Sequence, residues 1–179
     1  FPFTPQSAGA LFGSAIGDAL AMPVHWYYNR AALAADYGQV TTYVDPKHPH
    51  PDSILWRSHY KAPNEKGEIL HNQAQYLGQR GIPYHQNLQG GENTPTLQLC
   101  HLLQESLLAS GGHNSDDYLH RYIDFMTTPG RHRDTYLEEC HRGFFENYAR
   151  DNDPRKCGVL EKHIGGLACI ATFAVYFQG

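Results

Sequence analysis

The sequence predicts an all-α fold, on three observations. Leu99, Leu103 and Leu107 recur at a spacing of four beside Cys100 and Leu108, which is the period of one buried helix face. Apolar runs open at capping residues or prolines and close at glycines or prolines, the punctuation of helices. Gly9, Gly13 and Gly17 also lie four apart, so they form one helical ridge and lack the G-x-G-x-x-G spacing of a nucleotide-binding turn.

The first helix runs from Pro5 to about Met22, with Thr4 as N-cap, Pro5 at the first helical position and Pro23 as the stop. An interior glycine costs a helix about 1 kcal/mol relative to alanine. Three on one face therefore predict close packing of another helix or a ligand there. Asn29 caps a short helix from Arg30 to Tyr37, which Gly38 closes. Residues 45 to 91 carry five prolines among many His, Gln, Asn and Gly residues and read as a long irregular excursion, with one helical stretch at Leu70 to Gly78. Thr94 and Pro95 open the strongest helix, through Ser110, and Gly111-Gly112 end it.

Ser115, Asp116 and Asp117 open a helix through Thr127, halted by Pro129-Gly130. Asp134 opens the next, through Ala149, with Leu137, Cys140, His141, Phe144, Phe145 and Tyr148 marking its buried side. Ile164 to Phe177 is apolar nearly all round and predicts a central helix, which should not be the last element of a domain. The expectation is one all-α domain over residues 1–175, apparently truncated. Residues 176–179, Tyr-Phe-Gln-Gly, match the end of a protease-tag sequence and are set aside.

Lys and Arg number 14 against 18 Asp and Glu, for a net charge of −4, and no basic block could follow a phosphate backbone. Nucleic acid is excluded as a first partner. Residues 7–22 lack a basic segment before them and are broken by Asp18, so they do not read as a signal peptide or a membrane span. Four cysteines without a Cys-x-x-Cys pair suit a reducing cytoplasmic setting. The 12 histidines are many for this length and suggest a site without locating one.

His48-x-His50, between prolines, reads as a solvated loop. Asp116 and His120 could share a metal, but the acids at 116 and 117 are what a helix start needs. Cys100-His101 and Cys140-His141 are helix neighbours pointing about 100° apart, so neither pair predicts a local site. The run from His85 through Gly90-Gly91-Glu92-Asn93-Thr94 brings a carboxylate, an amide and a hydroxyl to a helix start. Those are oxygen donors that Mg²⁺ or Ca²⁺ accepts, while plain N-capping by Thr94 explains the same residues.

Residues 9–26, Gly-Ala-Leu-Phe-Gly-Ser-Ala-Ile-Gly-Asp-Ala-Leu-Ala-Met-Pro-Val-His-Trp, resemble the opening helix of the ADP-ribosylglycohydrolase family. Gly91-Glu92-Asn93-Thr94 falls where that family carries Thr-Asp-Asp-Thr, and His163-Ile164-Gly165-Gly166-Leu167 is similar to its next landmark. In family terms the likeness covers the N-terminal half or slightly more, and Pro-x-His-Trp is closest in style to the J-type crystallin-like branch. The resemblance implies an orthogonal multi-helix bundle that hydrolyses an ADP-ribosyl N- or O-glycosidic bond with two Mg²⁺ ions. Carried over residue by residue, it makes Glu92 and Asp18 catalytic, and Glu92, Asn93 and Thr94 metal ligands. His25, Trp26, Tyr84, His85 and Asn93 would then hold substrate, with Tyr27 a further stacking ring.

Two family aspartates are Glu92 and Asn93 here, His25 stands at an acidic position, and the second Asp-x-Asp-Thr cluster is absent from this chain. The expectation is a weakened or inactive metal site unless a C-terminal half or second copy completes it. A non-catalytic crystallin-like or nucleotide-binding role on the same fold is the alternative.

Overall fold

The computed structural model describes residues 4–47 and 54–177, among which there are six α-helices, short 3-10 turns and no strand. The helices are α1 (Pro5–Ala21), α2 (Arg30–Asp36), α3 (Pro95–Ser110), α4 (Ser115–Thr127), α5 (Glu139–Tyr148) and α6 (Ile170–Tyr176). The all-α expectation holds. Residues 48 and 50 lie outside the described residues, as do the last two of the tag-like tail.

The local signals explain most boundaries. Thr4 Oγ1 accepts from Ser7 N–H at 3.1 Å, and Asn29 Oδ1 accepts from Ala31 and Ala32 N–H, each closing a free helix donor. At α4 the cap is Asn114, whose Oδ1 accepts from Asp116 and Asp117 N–H. Helix α3 ends at Gly111, with φ +65°, the left-handed conformation that favours glycine.

The core joins α3, α4 and α5. Leu99, Leu102, Tyr122, Phe125, Met126, Phe144 and Phe145 form one buried cluster with Leu137 and Cys157. The excursion before α3 contributes to it as well. Ile69 and Leu70 are buried there, and buried His132 donates from Nε2 to the Ile69 carbonyl at 2.8 Å. The helical stretch expected at Leu70 to Gly78 is only the 3-10 turn His71–Gln75.

Three expectations fail. Helix α5 starts at Glu139 instead of Asp134, because the Asp134 side chain is buried in a side-chain network and residues 134–138 run as irregular chain. Residues 164–177 do not form one central helix. They split into a 3-10 turn, Ile164–Leu167, and α6, with Leu167, Ile170 and Phe177 exposed. The glycine ridge of α1 packs on nothing: a Cβ at Gly9, Gly13 or Gly17 would meet no atom within 4 Å among the described residues.

Pro5–Val24 is long and apolar enough to cross a membrane by length and composition alone. Here the helix is tied to α3 by the Asp18 side chain.

Candidate functional site

Asp18, near the C-terminal end of α1, reaches the first residues of α3. Its Oδ1 accepts from the Thr94 hydroxyl at 2.8 Å, and its Oδ2 accepts from Thr94 N–H at 2.8 Å and Asn93 Nδ2 at 3.0 Å. Asn93 Nδ2 also donates to the Ala15 carbonyl at 2.8 Å. Thr94 occupies the N-cap position of α3 without capping it, since its hydroxyl is turned to Asp18. The carboxylate thus stands at the electropositive start of α3, where negative charge is favoured.

Glu92 faces elsewhere. Its carboxylate accepts from Gln89 N–H at 2.7 Å and pairs with the Arg133 guanidinium at the surface. Two glycines make this turn possible. A Cβ at Gly90 would come within 2.9 Å of the Val44 backbone, and Gly91 has φ +94°. Gly90 N–H donates to Asp45 Oδ1 at 2.8 Å, which fastens the turn to the preceding chain.

Beside the Asp18 junction runs a second chain of polar groups. Buried Asp134 lies 2.7 Å from His85 Nδ1, and His85 Nε2 lies 2.7 Å from His25 Nδ1. An ionised Asp134 only accepts, so His85 donates from Nδ1. A neutral His85 then accepts at Nε2 from His25 Nδ1–H, which leaves the free lone pair on His25 Nε2. His25 is exposed at its outer side, yet loss of water around its inner face holds its pKa down, to about 4. The neighbouring His85 ring lowers it further and Asp134 opposes both.

Rings surround this chain. His25 stacks on His85 and on Trp26 with centroids 5.0 and 5.2 Å away, and Trp26 lies 5.2 Å from Tyr84, which in turn lies 4.3 Å from Tyr136. Trp26 is held at φ 70°, a strained conformation for a bulky residue, and its buried indole N–H has no hydrogen-bond partner.

A small pocket of about 20 Å³, room for about one water, opens here, lined by His25, His85, Thr94, Thr96, Asp134 and Glu138, among others. A wider cleft of about 390 Å³ lies between α1, α3 and α6, but its walls are mostly apolar, from Leu11 and Phe12 to Leu107 and Val175. The smaller pocket holds the acid–base groups, whereas the wider cleft offers almost none.

The residues singled out in the sequence therefore separate. Asp18, Asn93 and Thr94 form one junction, and His25, Trp26, Tyr84 and His85 form the neighbouring ring cluster. Tyr84 is buried under that cluster, and Tyr27 is apart from it, donating to Asp36 Oδ2 at 2.9 Å. Sequence reasoning missed Asp134, which reads as a helix opener, and it missed Glu138 altogether. Nothing local links Asp134 to His85 across a sequence separation of 49 residues. The pair Cys140-His141 also needs correcting: their ligand atoms come within 4.8 Å of each other and of Glu138. The pair sits in the first turn of α5, where the extended residue Glu138 can fold back onto it.

The donor set does not fit the two-Mg²⁺ centre that the resemblance implies. Mg²⁺ needs hard oxygens with free lone pairs in near-octahedral array. Both Asp18 oxygens already accept protein hydrogen bonds, Asn93 directs its N–H₂ to the place a cation would take, and Glu92 is paired with Arg133.

No curated protein and no solved structure matches the chain. The family model described as ADP-ribosylglycohydrolase matches residues 5–179, and the chain belongs to that family, whose substrates are ADP-ribosylated.

Proposed function

We propose that this member of the family binds the ADP-ribosyl group over the exposed face of His25, with the anomeric carbon at the mouth of the small pocket beside the start of α3, and hydrolyses the bond there with His25 as general base. The observation that carries this reading is the Asp134–His85–His25 chain, which ends on a ring lining the pocket. His25 Nε2 takes a proton from water as the water oxygen bonds to the anomeric carbon. The glycosidic bond breaks, and its electron pair leaves with the departing group, which takes a proton from solvent. As Nε2 gains its proton, the Nδ1 proton of His25 moves to His85 Nε2, so the positive charge comes to rest against Asp134. That transfer makes a ring with a pKa near 4 usable as a base. A reducing cytoplasmic setting is part of the same proposal.

The test is release of ADP-ribose from N- and O-linked ADP-ribosylated peptides, run in magnesium and again in chelator. His25→Gln is expected to lower kcat by about 10²–10⁴ with little change in KM, and chelation is expected to change turnover little. Activity lost in chelator returns the role to metal ions and overturns the base assignment. The occupied Asp18 oxygens and the Glu92–Arg133 pair favour a second reading, a non-catalytic nucleotide-binding protein. Calorimetric binding of ADP-ribose without turnover supports that reading. Absence of both binding and turnover leaves a structural, crystallin-like role.

A further inference from the structure

We propose that Glu138, Cys140 and His141, with Glu161 closing the fourth side, bind a divalent metal ion of zinc type. Glu138 and His141 also line the pocket beside Thr94 and His25, but none of these ligands binds Asp18, and the test reads cobalt spectra and not turnover, so the proposal stands whether or not the hydrolase reading holds. The ligand atoms of the first three residues lie within 4.8 Å of one another. Glu138 Oε2 is 3.8 Å from Cys140 Sγ. Two tetrahedral zinc ligands, one sulfur and one oxygen, stand about 3.5 Å apart, so only a small closure is needed. A thiol, an imidazole and carboxylates together select a borderline metal over Mg²⁺ or Ca²⁺, which take oxygen alone.

The surroundings favour a cation. Among the described residues neither Glu138 nor Glu161 has an ion pair with a lysine or arginine, and both carboxylates crowd Cys140. Burial, then Glu138 and Glu161, push the Cys140 thiol up to about 12, while burial and the Glu161 charge hold the Glu138 carboxyl above its usual range. His163 opposes the shift at Glu138, and Glu161 Oε1 already accepts from the Lys162 and His163 N–H groups at 2.8 and 2.9 Å, which leaves its second oxygen for a metal. Burial keeps His141 neutral, with a pKa of about 4, as a metal-binding imidazole must be. The Tyr122 hydroxyl, 2.8 Å from His141 Nδ1, fixes the ring as supporting hydrogen bonds do at metal centres. Gly165 supplies the room on the remaining side: a Cβ there would come 2.8 Å from Glu138 Cδ, so the bare backbone lets the carboxylate lie flat against the 164–167 turn.

Binding displaces the Cys140 proton and forms a metal–thiolate bond, without redox change. The experiment is titration of the whole chain with Co²⁺, followed by Zn²⁺ competition, read by absorbance. One Co²⁺ per chain, tetrahedral visible bands and a thiolate-to-cobalt charge-transfer band are expected, all removed by Zn²⁺. Cys140→Ser abolishes the charge-transfer band and Glu161→Gln weakens binding, whereas Cys169→Ser leaves the spectrum intact. Circular dichroism checks that the variants are folded. No charge-transfer band in the unaltered chain overturns the proposal, and so does a band that survives Cys140→Ser or disappears with Cys169→Ser.

Discussion

Helices α1 and α3 are of nearly equal length and both carry apolar residues at helical spacing, but α3 buries eight residues and α1 only Ser7 and Ala19. The difference lies in what the spacing carries. On α3 the recurring residue is leucine, and each fully buried leucine stabilises by about 1.5–3 kcal/mol, enough to draw α4 and the 69–70 segment against it. On α1 the recurring residues are glycine and alanine, which offer little area to bury, while Phe12 and Ile16 stay exposed. Helix α1 is held by polar contacts in place of packing: Asp18 and the Ala15 carbonyl receive the start of α3. A four-spaced pattern therefore marks a helix face without saying that the face is covered.

The sharpest contrast comes from two phenylalanines. Phe145 is fully buried among Tyr122, Phe144 and Tyr148, so Phe145→Ala is expected to cost about 3–5 kcal/mol in denaturant unfolding. Phe12 is 66% exposed, and Phe12→Ala should stay within about 0.5 kcal/mol. Equal losses for the two would erase the distinction between the regions.

Two glycines sharpen it. A Cβ on Gly67 would stand 2.8 Å from Pro63 Cδ and 3.2 Å from Ala149 Cβ, both on rigid neighbours, so Gly67→Ala should destabilise by about 1–3 kcal/mol. On α1 a Cβ at Gly13 meets nothing, and Gly13→Ala should stabilise by about 0.5–1 kcal/mol through helix propensity alone. Thermal unfolding of the pair reads opposite signs. A loss at Gly13 would mean that the ridge is packed after all.

The smallest effect is on pH. Burial lowers the pKa of His141, and loss of water around its inner face lowers that of His25, each to about 4 from 6.5. The unfolded chain binds more protons than the folded one between those values, so stability is fully present above pH 6.5 and falls as pH drops toward 4. His25 is exposed on one side, so the buried core ring contributes more of the slope. Urea midpoints across that window should decline on acidification, and His141→Gln should flatten the decline. A midpoint that rises would break this reading.

The fold class was legible because helical signals are local. Thr4, Asn29 and Gly111 act on their own turn, and the bounds of α3 and α4 follow from neighbours within a few residues. The family resemblance singled out Asp18, Asn93 and Thr94, which meet, but also Glu92, which turns away to Arg133. The start of α5 failed because a residue with a distant use was taken for a local one. Asp134 has the composition of a helix start, but a buried imidazole claims its carboxylate.

By itself the sequence determined the fold class, the bounds of α1 to α4 and the family, because caps, periods and motifs are written in adjacent positions. Only the tertiary structure decided that Glu92 turns to Arg133, that Asp134 backs His85 and His25, and that Glu138 closes on Cys140 and His141. A side-chain partner is chosen by where folding brings groups of opposite need together, and burial makes that choice binding, since an unpaired carboxylate or imidazole inside the protein costs far more than one in water.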